Sequence, residues 1–168
     1  DPRFSEQWGL YNTGQSGGTG GADISAPQAW DLRTSALSDR VVAILDTGIA
    51  KNHEDLRANL WAGPNGTHGY DFVQNDDDPE DDHGHGTHVA GIIGAVGDNG
   101  SGVAGVAWNV KLMAVKMLDA DGYGTSAMEL AAYNWVLARK QAGVNIVAIN
   151  ASFGDSNPVQ ASKDAIET

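Results

Sequence analysis

The chain has 168 residues, of which 41% are apolar and 19% are charged, a composition typical of one globular domain and not of a disordered segment. Its formal net charge of −12 argues against an anionic partner, so we expect neither nucleic acid nor a membrane surface to bind it. The absence of cysteine excludes disulfides, zinc thiolates and thiol catalysis, and no apolar run approaches the ~20 residues that a membrane span needs.

Segments typical of helices alternate with segments typical of strands along the chain. Apolar, β-branched runs predict strands over residues 40–49, 68–73, 110–118 and 144–154, and helical patterns cover residues 26–33, 85–96, 126–143 and a last segment that begins near 157–158. The helix over 126–143 carries a predicted capping box of Ser126 and Glu129. This alternation indicates a parallel α/β sheet, in which ligands bind at the carboxyl ends of the strands.

Three of the five histidines lie within the segment DHGHGTHVAG, residues 82–91. One interpretation is the zinc site of a metallo-hydrolase, built from His83, His85 and His88. The familiar zinc pair has histidines at i and i+4 of a helix with a glutamate between them, and neither that spacing nor that glutamate is present. The metal interpretation therefore stays open as the weaker alternative.

A second interpretation makes His85 a general base, since neutral imidazole takes up protons near pH ~6.5. Such a base needs a carboxylate on its other ring nitrogen. Asp46, at the end of a predicted buried strand, is a candidate. Gly48 and Gly86, beside these residues, would let the two backbones approach closely. Each residue also has an ordinary structural explanation, as part of a turn or a helix cap.

Seven acidic residues lie between Asp71 and Asp82 without a lysine or arginine among them. Such a run is either a solvated loop or a site for a hard cation, because Ca²⁺ takes roughly six to eight oxygen ligands that are often carboxylates. Mutual repulsion of these carboxylates favours a bound cation that orders the loop.

Four segments, in order, carry a resemblance to a known family. VVAILDTGI (41–49) and HGHGTHVAGIIGA (83–95) resemble the Asp and His blocks of the subtilisin-like serine proteases, the subtilases, and especially their thermitase-like branch. VKMLDADGYGT (115–125) and VAINASFG (147–154) resemble the family's two substrate-lining strands. The resemblance implies a three-layer α/β/α sandwich with a mainly parallel sheet, of which residues 1–168 would be the N-terminal portion, incomplete at the C-terminus.

The resemblance also implies roles for individual residues. Asp46 matches the triad aspartate and His85 the triad base, while His88 would pack at the start of the helix and His83 would be an exposed loop residue. A peptide or protein substrate would lie extended between two strands and would bind mainly through main-chain hydrogen bonds. The matching substrate-binding residues are Gly122, Tyr123, Gly124, Ser152, Phe153 and Gly154.

The nucleophile breaks the family's pattern. GTSAM (124–128) looks like the family's serine block with two residues exchanged, but it lies too close to His85, and a role as helix cap is a sufficient explanation of Ser126. The serine and the oxyanion asparagine are therefore expected after Thr168, in a C-terminal part of the catalytic domain that would be a partner of this chain. The alternative is a non-catalytic calcium-binding fragment or an interaction module that needs a partner chain.

The resemblance further implies two Ca²⁺ sites in a secreted, calcium-stabilised endopeptidase. The first joins the N-terminus to the loop after the histidine helix, and its matching ligands are the side chains of Asp1, Asp55 and Asn99 and the carbonyls of Val96, Ser101 and Val103. The second lies in the acidic loop, with Asp71, Asp76, Asp78 and Glu80 as candidates and with Gln74 in place of an expected aspartate.

Overall fold

The computed structural model of the protein describes residues 1–33, 39–154 and 160–167. Its strands are β1 (Val41–Asp46), β2 (Gly69–Asp71), β3 (Lys111–Lys116) and β4 (Ile146–Ala151). Its α-helices are α1 (Ala26–Leu32), α2 (His85–Gly94), α3 (Ser126–Gln141) and α4 (Gln160–Glu167), with 3-10 turns at Phe4–Glu6, Gln15–Gly17 and Pro64–Gly66. The predicted start of the last helix, near 157–158, lies outside the described residues. No helix in the described part of the chain is long and apolar enough to cross a membrane.

The described strands form one parallel sheet in the order β2-β3-β1-β4. β1 is therefore an inner strand, with Val41 opposite Lys111 on one side and Ile146 on the other. The register of β1 and β3 continues to their carboxyl ends, where Asp46 lies opposite Lys116. The predicted parallel α/β sheet is confirmed, and its carboxyl edge brings the ends of β1, β3 and β4 together.

Successive side chains of β1 point to opposite faces of the sheet and enter two different cores. Ala43 and Leu45 pack with Val136 of α3 on one face. Ile44 packs with Val89 of α2 on the other face. Helices thus cover both faces, which confirms the predicted three-layer α/β/α sandwich. Burial on both faces also explains why the sequence of β1 is a continuous apolar run.

The start of α3 differs from the predicted capping box by one residue. Thr125, with extended backbone angles, is the N-cap, and its Oγ1 accepts a hydrogen bond from the Met128 amide at 3.2 Å. Ser126 is the first helical residue, and Glu129 accepts a hydrogen bond from Ser162 of α4 at 2.7 Å. The prediction of Ser126 as the cap was wrong, because two adjacent hydroxyl residues have similar capping preferences and the backbone places Thr125 at the boundary.

β4 forms one edge of the sheet within the described residues, and part of its apolar surface is exposed. Val147 and Ile149 are 50% and 43% exposed. Leu137 of α3 and Ile166 of α4 line the same apolar groove. Apolar side chains on an outer strand are usually covered by another element. This edge therefore offers a surface against which a further element can pack.

Candidate active site

A hydrogen-bonded aspartate and histidine lie at the carboxyl edge of the sheet. The Nδ1 atom of His85 is 2.8 Å from Oδ1 of Asp46. Asp46 is fully buried, whereas the His85 side chain is 41% exposed. With its Nδ1 proton donated to the carboxylate, the imidazole keeps Nε2 free to accept a proton from a bound group. The arrangement is that of a general base and its orienting acid.

The end of β1 fixes the position of the carboxylate. The Asp46 carbonyl accepts hydrogen bonds from the amides of Met117 and Leu118 at 3.0 and 3.2 Å, which holds this backbone beside the exit of β3. Asp46 Oδ1 also accepts from the Thr47 amide at 2.8 Å. Within residues 1–33, 39–154 and 160–167, its buried Oδ2 has no hydrogen-bond partner. A buried carboxylate with so few donors gains strongly from the His85 N–H.

Two glycines let the aspartate turn and the first turn of α2 approach closely enough for this bond. A Cβ atom on Gly86 would lie 2.2 Å from the Gly48 carbonyl oxygen and 3.1 Å from the Asp46 Cβ. Gly48 has a φ of +108°, and a Cβ there would lie 2.6 Å from the Pro79 carbonyl oxygen. The Gly86 amide donates to Thr47 Oγ1 at 2.9 Å. Both positions therefore need glycine.

Substitution of Gly86 by alanine should destabilise the chain by about 1–3 kcal/mol, because the new methyl group would overlap the Gly48 carbonyl. Gly91→Ala in the same helix is the matched control. A Cβ there has no described neighbour within 4 Å, and the substitution should stabilise the chain by up to ~1 kcal/mol. Chemical denaturation of the full-length protein gives both free energies of unfolding. Equal effects of the two substitutions would contradict the close approach.

Asp81 connects the aspartate turn to the start of α2. Its Oδ1 accepts hydrogen bonds from the Thr47 hydroxyl and from the amides of His83 and Gly84, and its Oδ2 accepts from the amide and hydroxyl of Thr87. Partial burial raises the pKa of Asp81, but the hydrogen bonds from Thr87, Gly84 and His83 outweigh burial and lower this pKa from 3.8 to about 2. The ionised carboxylate therefore stabilises the folded chain.

The stabilisation by Asp81 should be complete above pH ~4 and should be lost as the pH falls to about 2. This sign follows because the pKa is lower in the folded than in the unfolded chain, so protonation favours unfolding. The advantage of wild type over Asp81→Asn in free energy of unfolding should shrink by at most about 2 kcal/mol across that range. Denaturation at several pH values measures it, with Asp77→Asn, an exposed carboxylate of the same loop, as control. A difference that does not change with pH would contradict the expectation.

The other two histidines of the cluster have different environments. His88 is exposed, because Val89 and Ala90 belong to the buried face of α2 and His88 lies on its other side. The prediction that His88 packs at the start of the helix was therefore wrong. His83 is exposed as predicted, and a Cβ on Gly122 would lie 3.5 Å from its Nε2.

The three histidines do not converge on a metal site. Nδ1 of His85 is bonded to Asp46, and Nδ1 of His83 accepts a hydrogen bond from the His85 amide at 3.3 Å. Among the described residues, no three His, Cys, Asp or Glu side chains form a group that could hold a metal ion. This geometry argues against the metallo-hydrolase interpretation.

The first predicted substrate-lining segment forms an exposed turn after β3. Tyr123 is 76% exposed at this turn, between Gly122 and Gly124. The Asp119 carboxylate accepts a hydrogen bond from the Tyr123 amide at 2.9 Å, and the Asp119 amide donates to the Tyr123 carbonyl at the same distance. A Cβ on Gly124 would lie 2.5 Å from the Met117 carbonyl oxygen, so the end of the turn packs tightly on the exit of β3.

The second predicted substrate-lining segment follows β4. Phe153 is partly buried and packs against the core cluster that α3 covers. Ser152 and Gly154 on either side are exposed, and Ser152 Oγ accepts a hydrogen bond from Asn150 Nδ2 at 2.8 Å. Since β1, β3 and β4 are parallel, both segments leave the sheet at the edge that carries Asp46.

Two carboxylates hold the loop after α2 in place by hydrogen bonds. One is that of Asp1 at the N-terminus, and the other is that of Asp55 in the turn region after β1. The Asp1 carboxylate accepts hydrogen bonds from three consecutive amides, those of residues 98–100, at 2.9, 3.0 and 3.2 Å. The buried Asp55 accepts from Asn99 Nδ2 at 2.7 Å and from the Val103 amide at 2.8 Å. Four of the six residues predicted for the first calcium site are therefore hydrogen-bonded to one another or to the loop after α2. They are Asp1, Asp55, Asn99 and Val103.

The remaining two predicted ligands belong to the same group. The Val96 amide donates to the Asp55 carbonyl at 2.9 Å. The Ser101 amide donates to Asn99 Oδ1 at 2.7 Å. The structure thus brings all six residues of the predicted first site into one connected loop region.

The carboxylates predicted for the second site are not gathered in the same way. Lys51 Nζ lies 2.7 Å from Asp78 and 4.0 Å from Glu80, so a lysine already neutralises these two acids. Asp76 accepts from the Asp78 amide at 2.9 Å. Asp71 is buried, and its Oδ2 has no partner in the described part of the chain. The four side chains as arranged do not fit one ion, and the second site stays a prediction from the resemblance.

Three residues that shape the active site were missed in the sequence. Thr47 and Asp81 bridge the aspartate turn and α2, and Lys116 is completely buried beside them. A signal for Lys116 was present, because it interrupts the apolar strand LMAVKML (112–118). Thr47 and Asp81 have no feature that distinguishes them from ordinary turn residues.

Several known proteins are similar in sequence to this chain. It is 38% identical to Thermitase of Thermoactinomyces vulgaris over 140 residues, which are 82% of this chain and 46% of the relative. It is 45% identical to Thermophilic serine proteinase of Bacillus sp. (strain AK1) over 97 residues, 58% of this chain and 22% of the relative. It is 38% identical to Cell wall-associated protease of Bacillus subtilis (strain 168) over 125 residues, 74% of this chain and 14% of the relative.

These comparisons cover most of this chain but only part of each relative. The chain spans less than half the length of the three curated relatives. A family model described as "Subtilase family" matches residues 38–168, which include Asp46, His85 and both segments predicted to line a substrate. The sequence match and the parallel sandwich that carries the aspartate–histidine pair agree, and the chain belongs to the subtilase family.

Proposed function

We propose that this chain is the part of a subtilisin-like serine endopeptidase that supplies the general base and its orienting acid. The observation that carries the proposal is the 2.8 Å hydrogen bond between His85 Nδ1 and the buried carboxylate of Asp46. The family match and the similarity to named proteases support it.

In the proposed reaction, a serine hydroxyl attacks the carbonyl carbon of a peptide bond and gives its proton to His85 Nε2. Asp46 stays ionised, holds the ring in one orientation and stabilises the imidazolium. His85 then returns the proton to the leaving amine, and water releases the acyl group by the same steps. We propose that the serine and the oxyanion donor belong to a C-terminal part of the catalytic domain, so that this chain alone is inactive. Ser126, the first residue of α3, is not the serine that we propose as the nucleophile.

A peptide or protein substrate would lie extended between the Tyr123 turn and the segment that contains Phe153. Both segments leave the same edge of the sheet as Asp46, which supports this path. An extended chain bound there would form main-chain hydrogen bonds with both segments. We propose that the protein acts outside the cell, which the similarity to a cell wall-associated protease supports.

The partner that we propose for this chain is the rest of its catalytic domain. The exposed apolar side chains at the edge of β4, among them Val147 and Ile149, support a further element packed against this edge. The greater length of the related proteases is consistent with such an element.

Calcium is the proposed cofactor, and the residues of the first site fit it. Asp55 is only 1% exposed, and a carboxylate at that depth is costly without a positive partner. Its described side-chain partners, Asn99 and the Val103 amide, are uncharged. Asp1 brings a second carboxylate to the same loop. A hard cation held by these oxygens would neutralise both acids and stabilise the fold.

Labelling with a fluorophosphonate, which reacts with activated serines, tests the proposed function in the full-length protein. We expect intact-mass spectrometry to show one label, and peptide mapping to place it on a serine outside residues 1–168. A label on Ser126 would overturn the assignment of the nucleophile. A folded protein that takes no label and hydrolyses no peptide would favour the non-catalytic calcium-binding alternative.

A further inference from the structure

A completely buried lysine lies next to the aspartate–histidine pair. Lys116, the last residue of β3, has no exposed side-chain surface and is opposite Asp46 in the sheet. Its ammonium group donates to the Thr47 carbonyl at 2.7 Å, to Asp82 Oδ1 at 2.5 Å and to the Leu118 carbonyl at 3.1 Å. All three donors of the ammonium group are thus used, as a charge at this depth requires.

Each acceptor belongs to a segment on which the site depends. Thr47 directly follows the triad aspartate, and Asp82 lies in the loop that leads directly into α2. Leu118 begins the segment that leads to the substrate-lining turn. One ammonium group therefore sets the spacing of the aspartate turn, the histidine loop and the exit of β3. The described hydrogen bonds of Lys116 include none to His85, so any effect on the base is indirect.

We propose that Lys116 is a positioning residue that holds Asp46 and His85 at hydrogen-bonding distance through its bonds to Thr47 and Asp82. The inference rests on the proposed function, because the pair that it positions is the proposed acid and base. Core packing alone does not account for a lysine here, since an apolar side chain of similar length would fill the space without burying a charge. The ammonium group instead connects Asp82, in an exposed loop, to the buried carbonyl of Thr47 at the end of the inner strand β1.

Two variants separate positioning from packing. Lys116→Met keeps most of the side-chain volume and removes the three N–H donors. Asp82→Asn removes only the negative charge of Asp82, whose side chain is 45% exposed. Lys111→Met, at the amino end of the same strand, is the matched control, because Lys111 donates to the Ala58 carbonyl. The readouts in the full-length protein are the far-downfield proton resonance of the aspartate–histidine hydrogen bond and separate values of kcat and KM for a peptide substrate.

We expect Lys116→Met to shift or broaden this resonance and to lower kcat by roughly tenfold to a hundredfold with little change in KM. Asp82→Asn should change the resonance and kcat in the same direction but by a smaller amount. The double variant should lose no more of its kcat than Lys116→Met alone. The control should keep the wild-type resonance and kcat.

Wild-type resonance and kcat in both test variants would overturn the positioning role. If Lys116→Met does not fold, Asp82→Asn decides the matter, since it leaves the two carbonyl bonds of Lys116 in place. A wild-type protein with neither the resonance nor hydrolysis would instead remove the proposed function, and this inference with it.

Discussion

Replacement of His85 by alanine is expected to lower kcat of the full-length protein for a peptide substrate by a factor of about 10⁶. The exposed ring of His85 is the proposed acceptor of the serine proton, and in the described residues it is the base bonded to the buried Asp46. Initial rates on a chromogenic peptide measure the loss, and circular dichroism establishes that the variant is folded. Retention of more than about a hundredth of the wild-type kcat would show that His85 is not the base.

Asp46→Asn should be less severe, with a loss in kcat of about 10⁴, because an amide favours the wrong imidazole tautomer but leaves the ring in place. The double variant Asp46→Asn/His85→Ala serves as the control for a shared role. Residues that act as one unit are not additive, so the double variant should lose about as much as His85→Ala alone. Losses that multiply would mean that the two residues act separately.

Removal of calcium is expected to lower the melting temperature of the full-length protein by about 5–10 °C. An ion present at about a hundred times its Kd stabilises the fold by about 2.7 kcal/mol, and each kcal/mol is about 2–4 °C for a cooperative unit of roughly 150–250 residues. Asp55→Ala should already melt at lower temperature, because it leaves the Asn99 and Val103 donors without their acceptor. Chelation should then have little further effect on the variant. Thermal unfolding of wild type and of Asp55→Ala, each with and without chelator, gives the four melting temperatures.

Asp98→Asn is the matched control for the calcium experiment. Asp98 is an exposed carboxylate beside Asn99 in the same loop, and asparagine tolerates its positive φ of 57°. The control should keep the full shift on chelation. No shift in wild type, or an equal shift in Asp55→Ala, would contradict calcium binding at this loop.

The sequence was most informative where local pattern and chemistry coincide. Asp46 ends a β-branched apolar run, and His85 lies among glycines before a helical pattern, so both candidates and the parallel sheet could be predicted from the pattern, whereas the three-layer sandwich was implied by the family resemblance. The boundary at Thr125 could not, because Ser126 has a similar capping preference. The exposure of His88 depends on which face of α2 meets the sheet, and a short helix with many small residues does not define that face strongly.

Partners that are distant in sequence were the least predictable. Lys116 bonds to Thr47 and Asp82, and Asp81 accepts from Thr47 and Thr87. These contacts depend on the register of β1 and β3 and on the path of the loop before α2, which a single sequence does not specify. The same reason applies to the ion pair of Lys51 with Asp78, whose role as a calcium ligand stays a prediction.

Both strand pairings beside Asp46 join segments that are far apart in the chain. β1 is synthesised early, but its neighbours come from residues 111–116 and 146–151. The segment through α2 therefore leaves the ribosome well before either neighbour, and the entropy of closing long loops makes such pairing slow. The Met117 and Leu118 amides hold the Asp46 carbonyl beside the exit of β3, so Asp46 has its folded position only when β3 is paired with β1. Under the proposed function, an unfolded chain has no oriented Asp46–His85 pair and therefore lacks the general base on which the reaction depends.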